Sequence, residues 1–130
     1  MVPPPPGRAT RAALLAGLAA AAALALFVTH RHFAREDAQV AITRVQTWRV
    51  AGTTRSRVDA WLSRERPDAP LAWRADPPGW FEDHVRVRLE VAGEIHEFRV
   101  QPDERQVEPV GEAARRLVEA IREDARRAEP

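Results

Sequence analysis

Residues 85–100 read VRVRLEVAGEIHEFRV, and this stretch decides the fold of the chain. Its first half alternates apolar residues with charged ones, and a period of two predicts a β-strand that buries one face. Ala92 and Gly93 interrupt the pattern with residues that favour a turn. The second half then resumes the alternation, with Phe98 and Val100 on the apolar face. The stretch therefore predicts an antiparallel β-hairpin with one apolar and one charged face.

The register of this hairpin follows from its two-residue turn. Counting outward from the turn pairs Val87 with Phe98 on the apolar face. The same register sets Arg88 opposite Glu97 on the charged face, where opposite charges across two strands attract each other modestly. The same count pairs Val85 with Val100 on the apolar face.

Helices and short strands are predicted on both sides of the hairpin. In chain order they are a helix at Ala34–Trp48, a helix at Arg55–Arg64 capped by Thr53 or Thr54, a strand at Leu71–Ala75 with Trp73 inward, a strand at Gln106–Val110 and a helix at Glu112–Arg127. A strand at Val40–Val50 is the alternative to the first helix, but its alternation fails at Arg44 and Gln46. The predicted inner side of the last helix is Ala113, Leu117, Ala120, Ile121 and Asp124 or Ala125.

These elements predict an α+β fold in two parts. A single N-terminal transmembrane helix is followed by a small domain of two or three helices. The helices pack on one face of a three- or four-stranded antiparallel sheet, because the hairpin has one apolar face to cover.

An uncharged apolar run precedes the domain. Residues 12–28 are seventeen consecutive apolar residues, nine of them Ala and five Leu. As a helix the run is about 25 Å long, which is at the short end of the lengths that cross a bilayer. The residues that flank it are Arg8, Arg11, His30, Arg31 and Arg35, and of these Arg11 and His30 can extend its reach. The run predicts an uncleaved anchor, and signal cleavage after Ala25 with release of a secreted soluble domain is the alternative.

The anchor divides the chain into predicted segments. These are a Pro/Arg tail at 1–11, the anchor at 12–28, a basic juxtamembrane segment at 29–35, the α+β domain at 36–127 and a frayed tail at 128–130. All nineteen acidic residues lie at or after Glu36, and a short N-terminus before a longer exported domain is the common layout. We therefore expect a bacterial single-pass protein of the cell (inner) membrane with an extracytoplasmic domain. The nearly balanced flanking arginines leave the opposite orientation open.

Composition excludes several classes of function. Residues 36–130 carry sixteen Arg against nineteen Asp and Glu, a charge of −3, whereas residues 1–35 carry +4. The excess positive charge beside the anchor favours the lipid bilayer, through its anionic headgroups, over nucleic acid as a partner. The chain has no Cys, which excludes disulfides, thiolate metal sites and lipid attachment to cysteine.

No motif predicts a catalytic residue, a bound cofactor or a metal. His30 and His32 would point about 200° apart on a helix, so they do not share a metal ion. His84 and His96 fall on opposite faces of the predicted hairpin, and each is interpreted as a half-buried histidine at a sheet edge. We therefore expect a protein that is not an enzyme.

Aromatic residues supply the candidate contacts. Trp48, Trp61, Trp73 and Trp80 are the only tryptophans, and in so small a domain they are interpreted mainly as core. A Trp-lined cleft, for a small ligand or for the substrate of an enzyme, is the alternative. Trp80 and Phe81 follow a Pro-Pro-Gly turn and are predicted to form an exposed patch for a protein partner.

Residues 85–109, VRVRLEVAGEIHEFRVQPDERQVEP, resemble a PepSY-type module when taken with the preceding helix and the Trp73 strand. In that family a helix packs on an antiparallel sheet, and one strand ends in an aspartate turn before a final Val strand. The matching positions are Phe98, Val100, Asp103 and Val107, and Gln106 stands where the family usually has Gly. The resemblance covers about fifty residues and implies an extracytoplasmic regulatory or inhibitory interaction module without catalytic residues.

A second similarity, over residues 40–62 (VAITRVQTWRVAGTTRSRVDAWL), is to POTRA modules of division and secretion proteins. It requires Val40–Val50 to be a strand. It also requires a second helix before Val85, where Pro70, Pro77 and Pro78 stand instead. The PepSY-type resemblance is therefore preferred.

The predicted function is that of a membrane-tethered accessory or interaction module. It would act without catalysis on a membrane-associated or extracytoplasmic protein. Confinement to a surface raises the effective concentration of the domain for such a partner. The predicted contacts are the outer strand edge of the hairpin and the loop that carries Trp80 and Phe81.

Overall fold

The computed structural model describes residues 2–5, 7–79, 81–101, 103 and 106–128. In chain order its elements are α1 (Arg8–Gln46), α2 (Val58–Glu65), β1 (Leu71–Asp76), β2 (Val85–Val91), β3 (Glu94–Val100), β4 (Val107–Val110) and α3 (Glu112–Ala128). The four strands form one antiparallel sheet in the order β1-β2-β3-β4, so neighbours in the chain are neighbours in the sheet. The predicted α+β fold is confirmed: one long apolar helix precedes a small domain of helices and antiparallel sheet.

The central hairpin has the predicted register. Val87 pairs with Phe98, and Arg88 pairs with Glu97. Ala92 and Gly93 connect the strands with φ angles of 51° and 80°. Two successive residues with positive φ are what a type I′ turn requires, and this turn matches the right-handed twist of the strands it joins. The turn therefore fixes the register that the apolar pattern favours.

The core lies between one face of the sheet and the helices. The residues of β2 alternate strictly between buried and exposed. The large apolar side chains that are fully buried in the core are Phe98, Leu89, Val85, Val87 and Val100 from the sheet, with Val45, Val58, Leu62, Val118 and Ile121 from the helices. β1 turns Trp73 toward this core, as predicted, and Leu71 and Ala75 lie on the same side. The helices thus cover the one apolar face that the hairpin presents.

Helix α1 belongs to two compact units, residues 1–33 and residues 34–130. In the first unit its most apolar window of eighteen residues contains no buried residue. This part of the helix is long and apolar enough to cross a membrane. In the second unit α1 places Ala41 and Val45 in the core, which confirms the predicted helix at Ala34–Trp48 as far as Gln46.

Helix α2 begins three residues later than predicted, at Val58. Its N-cap residue makes no capping hydrogen bond through the side chain. Thr53 instead stabilises the turn before the helix, because its hydroxyl oxygen accepts a hydrogen bond from the Ser56 backbone N–H at 3.2 Å. Threonine makes the same kind of bond in a turn and at a helix N-terminus, so its presence alone did not locate the helix start.

The buried side of α3 differs in phase from the prediction. The buried residues of this helix are Ala114, Leu117, Val118, Ile121 and Ala125. Ala113 is half-buried and Ala120 is exposed. The rotation buries the larger Val118 in place of an alanine. Since burial free energy grows with apolar area, the helix face with the valine is the more stable one to bury.

Ala92 offers a direct test of the turn. Replacing Ala92 with Asn should stabilise the domain by about 0.5–1 kcal/mol, because Asn tolerates the left-handed backbone conformation better than Ala. The free energy of unfolding should be measured by urea titration of the full chain in detergent micelles, with tryptophan fluorescence as the signal.

Gly93→Ala is the matched control, for which the opposite change in stability is expected. A Cβ there would meet nothing within 4 Å, so only backbone strain acts. It should destabilise by about 1 kcal/mol. Equal effects of the two variants would contradict a type I′ turn.

Candidate functional site

The predicted membrane-flanking residues all lie on α1. Arg8 and Arg11 occupy its first turn, where the structure places no acidic residue. Arg31 and Arg35 are exposed, and His30 is half-buried. Cations near a helix N-terminus oppose the helix dipole. The helix dipole therefore disfavours Arg8 and Arg11 at this end of α1. Both residues lie just before the apolar run.

The loop that was predicted to contact a partner is described in part. Trp80 lies outside the described residues. Phe81 is fully exposed. It lies inside a turn in which the Glu82 backbone N–H donates to the Gly79 carbonyl at 3.1 Å, and the Glu82 carboxylate accepts from the Gly79 N–H at 3.4 Å. The turn therefore holds an unburied aromatic ring at the surface.

The predicted contact through the outer edge of the hairpin is wrong. β1 pairs with β2 and β4 pairs with β3, so both hairpin strands are interior strands of the sheet. The edges of the described sheet are β1 and β4. β4 contains Pro109, which has no N–H to donate to a further strand. A partner strand therefore cannot pair with the hairpin, because β1 and β4 already occupy its two edges.

The tryptophans are divided between core and cavity. Trp48, Trp61 and Trp73 are partly buried and pack against the core, as the main interpretation predicted. Trp61 also lines a cavity of about 220 Å³. The alternative of a Trp-lined cleft therefore applies to one of the three described tryptophans.

This cavity, which we call the His96 cleft, lies beside α2, α3 and the turn end of the hairpin. Its lining includes Trp61 and Leu62 from α2, His96 from β3, and Arg116 and Leu117 from α3. Arg66, the residue that ends α2, also lines it and is exposed. The cleft therefore combines an apolar wall with cationic groups in contact with solvent.

His96 is the unexpected residue of this cleft. It was interpreted as a half-buried edge histidine, but it is 8% exposed and lies in an interior strand opposite Leu89. Its Nδ1 is buried and has no hydrogen-bond partner among the described residues. The hairpin register already pairs His96 with Leu89, so the sequence did contain the signal that a polar ring faces the core.

His84 has a different environment from His96. It lies just before β2, is half-buried, and its Nδ1 is 3.2 Å from a carboxylate oxygen of Asp83. This hydrogen bond is the main cause that lowers the pKa of Asp83 below its ordinary value. The two histidines were not expected to share a metal. Among the described residues no group of three His, Asp or Glu side chains could hold one.

Comparisons with known proteins give no assignment. The chain matches no protein-family model, no curated protein and no solved structure. The PepSY-type and POTRA resemblances therefore stay predictions.

An ion pair lies at the first turn of α2, the helix that contributes Trp61 and Leu62 to the His96 cleft. The guanidinium of Arg57 donates two hydrogen bonds to the carboxylate of Asp59, one of them at 2.9 Å. This hydrogen bonding is the largest cause that lowers the pKa of Asp59, and the hydrogen bond from the Ala60 N–H acts in the same direction. The ionised carboxylate is therefore favoured in the folded domain.

Asp59 should make stability depend on acid pH. Because its pKa is lower in the folded state, its contribution is present above the unfolded pKa of about 3.9 and is lost as the pH falls through the folded pKa. Asp59→Asn keeps the size of the side chain and should cost less than about 1 kcal/mol at pH 7, since the pair is partly exposed. Urea unfolding at pH 7 and in strong acid measures the difference. It should vanish in acid, and a difference of the same size at both pH values would contradict this role of the ion pair.

Proposed function

We propose that this chain is a membrane-tethered interaction module that binds a protein partner and catalyses no reaction. The observation that carries the proposal is the exposure of the N-terminal part of α1. Its most apolar window is uncharged and has no buried residue. Soluble monomers rarely expose a contiguous apolar patch of more than a few hundred Å². A lipid bilayer is the partner that satisfies a helix that is apolar on all sides.

The flanking cations support the same assignment. Arg8 and Arg11 precede the apolar run and Arg31 and Arg35 follow it, and all four side chains are exposed. Arginines at the ends of a membrane helix reach toward lipid phosphates while their aliphatic parts stay in the apolar layer. This role explains two cations at the start of α1 that would otherwise oppose the helix dipole.

The domain acts outside the cytoplasm of a bacterial cell (inner) membrane in this proposal. Its support is the layout of a short N-terminal tail before a longer, acidic domain, with a charge of −3 over residues 36–130. The PepSY-type resemblance agrees with an extracytoplasmic interaction module. Anchoring then confines both molecules to one surface, and the gain in effective concentration compensates for a weak contact.

The contact with the partner is proposed to include Phe81. Its ring is fully exposed, and aromatic residues are enriched at protein interfaces because they bury a large apolar area. Exposed Ile95 on the charged face of β3 provides a comparison, since it is also an apolar side chain in contact with water.

The tether is tested by a reporter that is active only outside the cytoplasm, fused after Pro130. In a bacterial host we expect full-length fusion in the membrane fraction, resistance to alkaline carbonate and an active reporter. The physical reason is that an inserted helix leaves the bilayer only with its apolar surface exposed to water. A product shorter by about twenty-five residues, in the soluble fraction, would show a cleaved signal. An inactive reporter on a membrane-bound chain would reverse the orientation.

The contact is tested by a photo-crosslinking amino acid placed in cells at the exposed Pro77, a position that leaves the Gly79–Glu82 hydrogen bonds in place. We expect one adduct whose intensity falls several-fold in Phe81→Ala, because truncation of an interface aromatic residue removes its buried area. Ile95→Ala is the matched control and should leave the adduct unchanged. Thermal melts of both variants should equal that of the parent chain, since neither side chain is buried. A lower melting temperature for Phe81→Ala, or an equal loss in both variants, would contradict the proposed contact.

A further inference from the structure

Two of the side chains that line the His96 cleft carry a buried polar atom without a partner. Three buried side-chain nitrogen or oxygen atoms in the described part of the chain lack a hydrogen bond, namely Trp61 Nε1, His96 Nδ1 and His84 Nε2. The first two belong to side chains that line the same cavity. An unsatisfied buried polar group lowers stability, so each such group needs an explanation. Both atoms are covered by the protein itself, but their rings form part of one cavity wall, so the cavity combines polar rings with an apolar lining.

The chemistry of the lining defines that group. The indole of Trp61 and the guanidinium groups of Arg66 and Arg116 only donate hydrogen bonds, and a neutral imidazole donates from one nitrogen and accepts at the other. The exposed guanidinium groups of Arg66 and Arg116 therefore call for an occupant that supplies acceptors. Glu94 is the one acidic side chain of the lining, and it is already bound to Arg116 at 2.7 Å.

Arg66 supplies the remaining positive charge. It forms no ion pair with any residue that the structure describes, and it is exposed where α2 ends. Once Glu94 and Arg116 neutralise each other, the lining carries one net positive charge. A planar guanidinium matches a carboxylate in geometry as well as in charge.

The size and the apolar wall define the rest of the ligand. The cavity is about 220 Å³ and includes Leu62, Val91 and Leu117 in its lining. A closed apolar cavity of about 150 Å³ in another protein holds benzene. We propose that the His96 cleft binds a ring-sized apolar group that carries a carboxylate, with Trp61 and His96 along the ring and Arg66 at the carboxylate. The source of that group is a free aromatic acid or the C-terminal residue of a peptide.

The test uses the full chain in lipid nanodiscs, with the indole N–H signals of its tryptophans followed by NMR. Trp61→Phe identifies the Trp61 signal. Phenylacetate should move this signal saturably with a Kd below about 10 mM. Phenylacetamide has the same shape without the charge, and it should bind at least about fivefold more weakly. No saturable shift with phenylacetate or N-acetylphenylalanine would overturn the proposal, and equal binding of the acid and the amide would overturn carboxylate recognition.

Matched variants test the role of Arg66. Arg66→Gln should weaken phenylacetate about fivefold, a typical effect for a partly exposed ion pair. Arg86→Gln removes an exposed arginine from the opposite face of the sheet and should leave the affinity unchanged. Unaltered backbone amide spectra in both variants show that the fold is kept. Equal affinities of the two variants would remove Arg66 from the site.

The source of the carboxylate is distinguished by two further ligands. N-acetylphenylalanine carries the carboxylate of a chain terminus, and its amide lacks it. Binding of phenylacetate alone assigns the cleft to a free small acid. Binding of N-acetylphenylalanine as well, with loss in its amide, assigns it to a C-terminal residue. This inference does not depend on the membrane tether, so failure of either proposal leaves the other standing.

Discussion

Burial of the apolar face of the hairpin is the constraint on which the rest of the domain depends. β2 turns Val85, Val87, Leu89 and Val91 to this face, and each is at most 3% exposed. Complete burial of one such side chain stabilises by about 1.5–3 kcal/mol. The net stability of a small domain is only about 5–15 kcal/mol, so a few exposed side chains on this face would unfold it. The flanking strands and the covering helices are arranged to prevent that exposure.

Helix α1 meets the same constraint in two ways. Over residues 34–46 its apolar side chains recur at helical spacing, and Ala41 and Val45 enter the core. Over residues 12–28 every position is apolar, so no rotation of the helix hides its surface from water. The division between compact units falls after Phe33, close to where the pattern changes from uniform to periodic. One continuous helix therefore carries two different burial patterns.

Patterns that depend on near neighbours were readable from the sequence. The hairpin register follows from alternation and a two-residue turn, and it was predicted correctly down to Arg88 opposite Glu97. The phase of α3 was not, because alanines lie on several of its faces and only packing shows that Val118 is buried. The start of α2 failed because threonine stabilises turns and helix ends alike. The hairpin edge failed because sheet order depends on which strands add to each side.

The cleft could not be predicted from the sequence for a related reason. Its walls come from α2, β3 and α3, and no local period predicts that three such elements leave a space between them. One residue of the sequence indicates it: the alternation of β3 assigns position 96 to the apolar face, but this position carries histidine. An apolar residue there would leave no nitrogen unsatisfied, and natural sequences follow their own patterns closely except where function requires otherwise. The two arginines that oppose the dipole at the start of α1 are an exception of the same kind. Both exceptions lie where we propose that a ligand or a lipid headgroup binds.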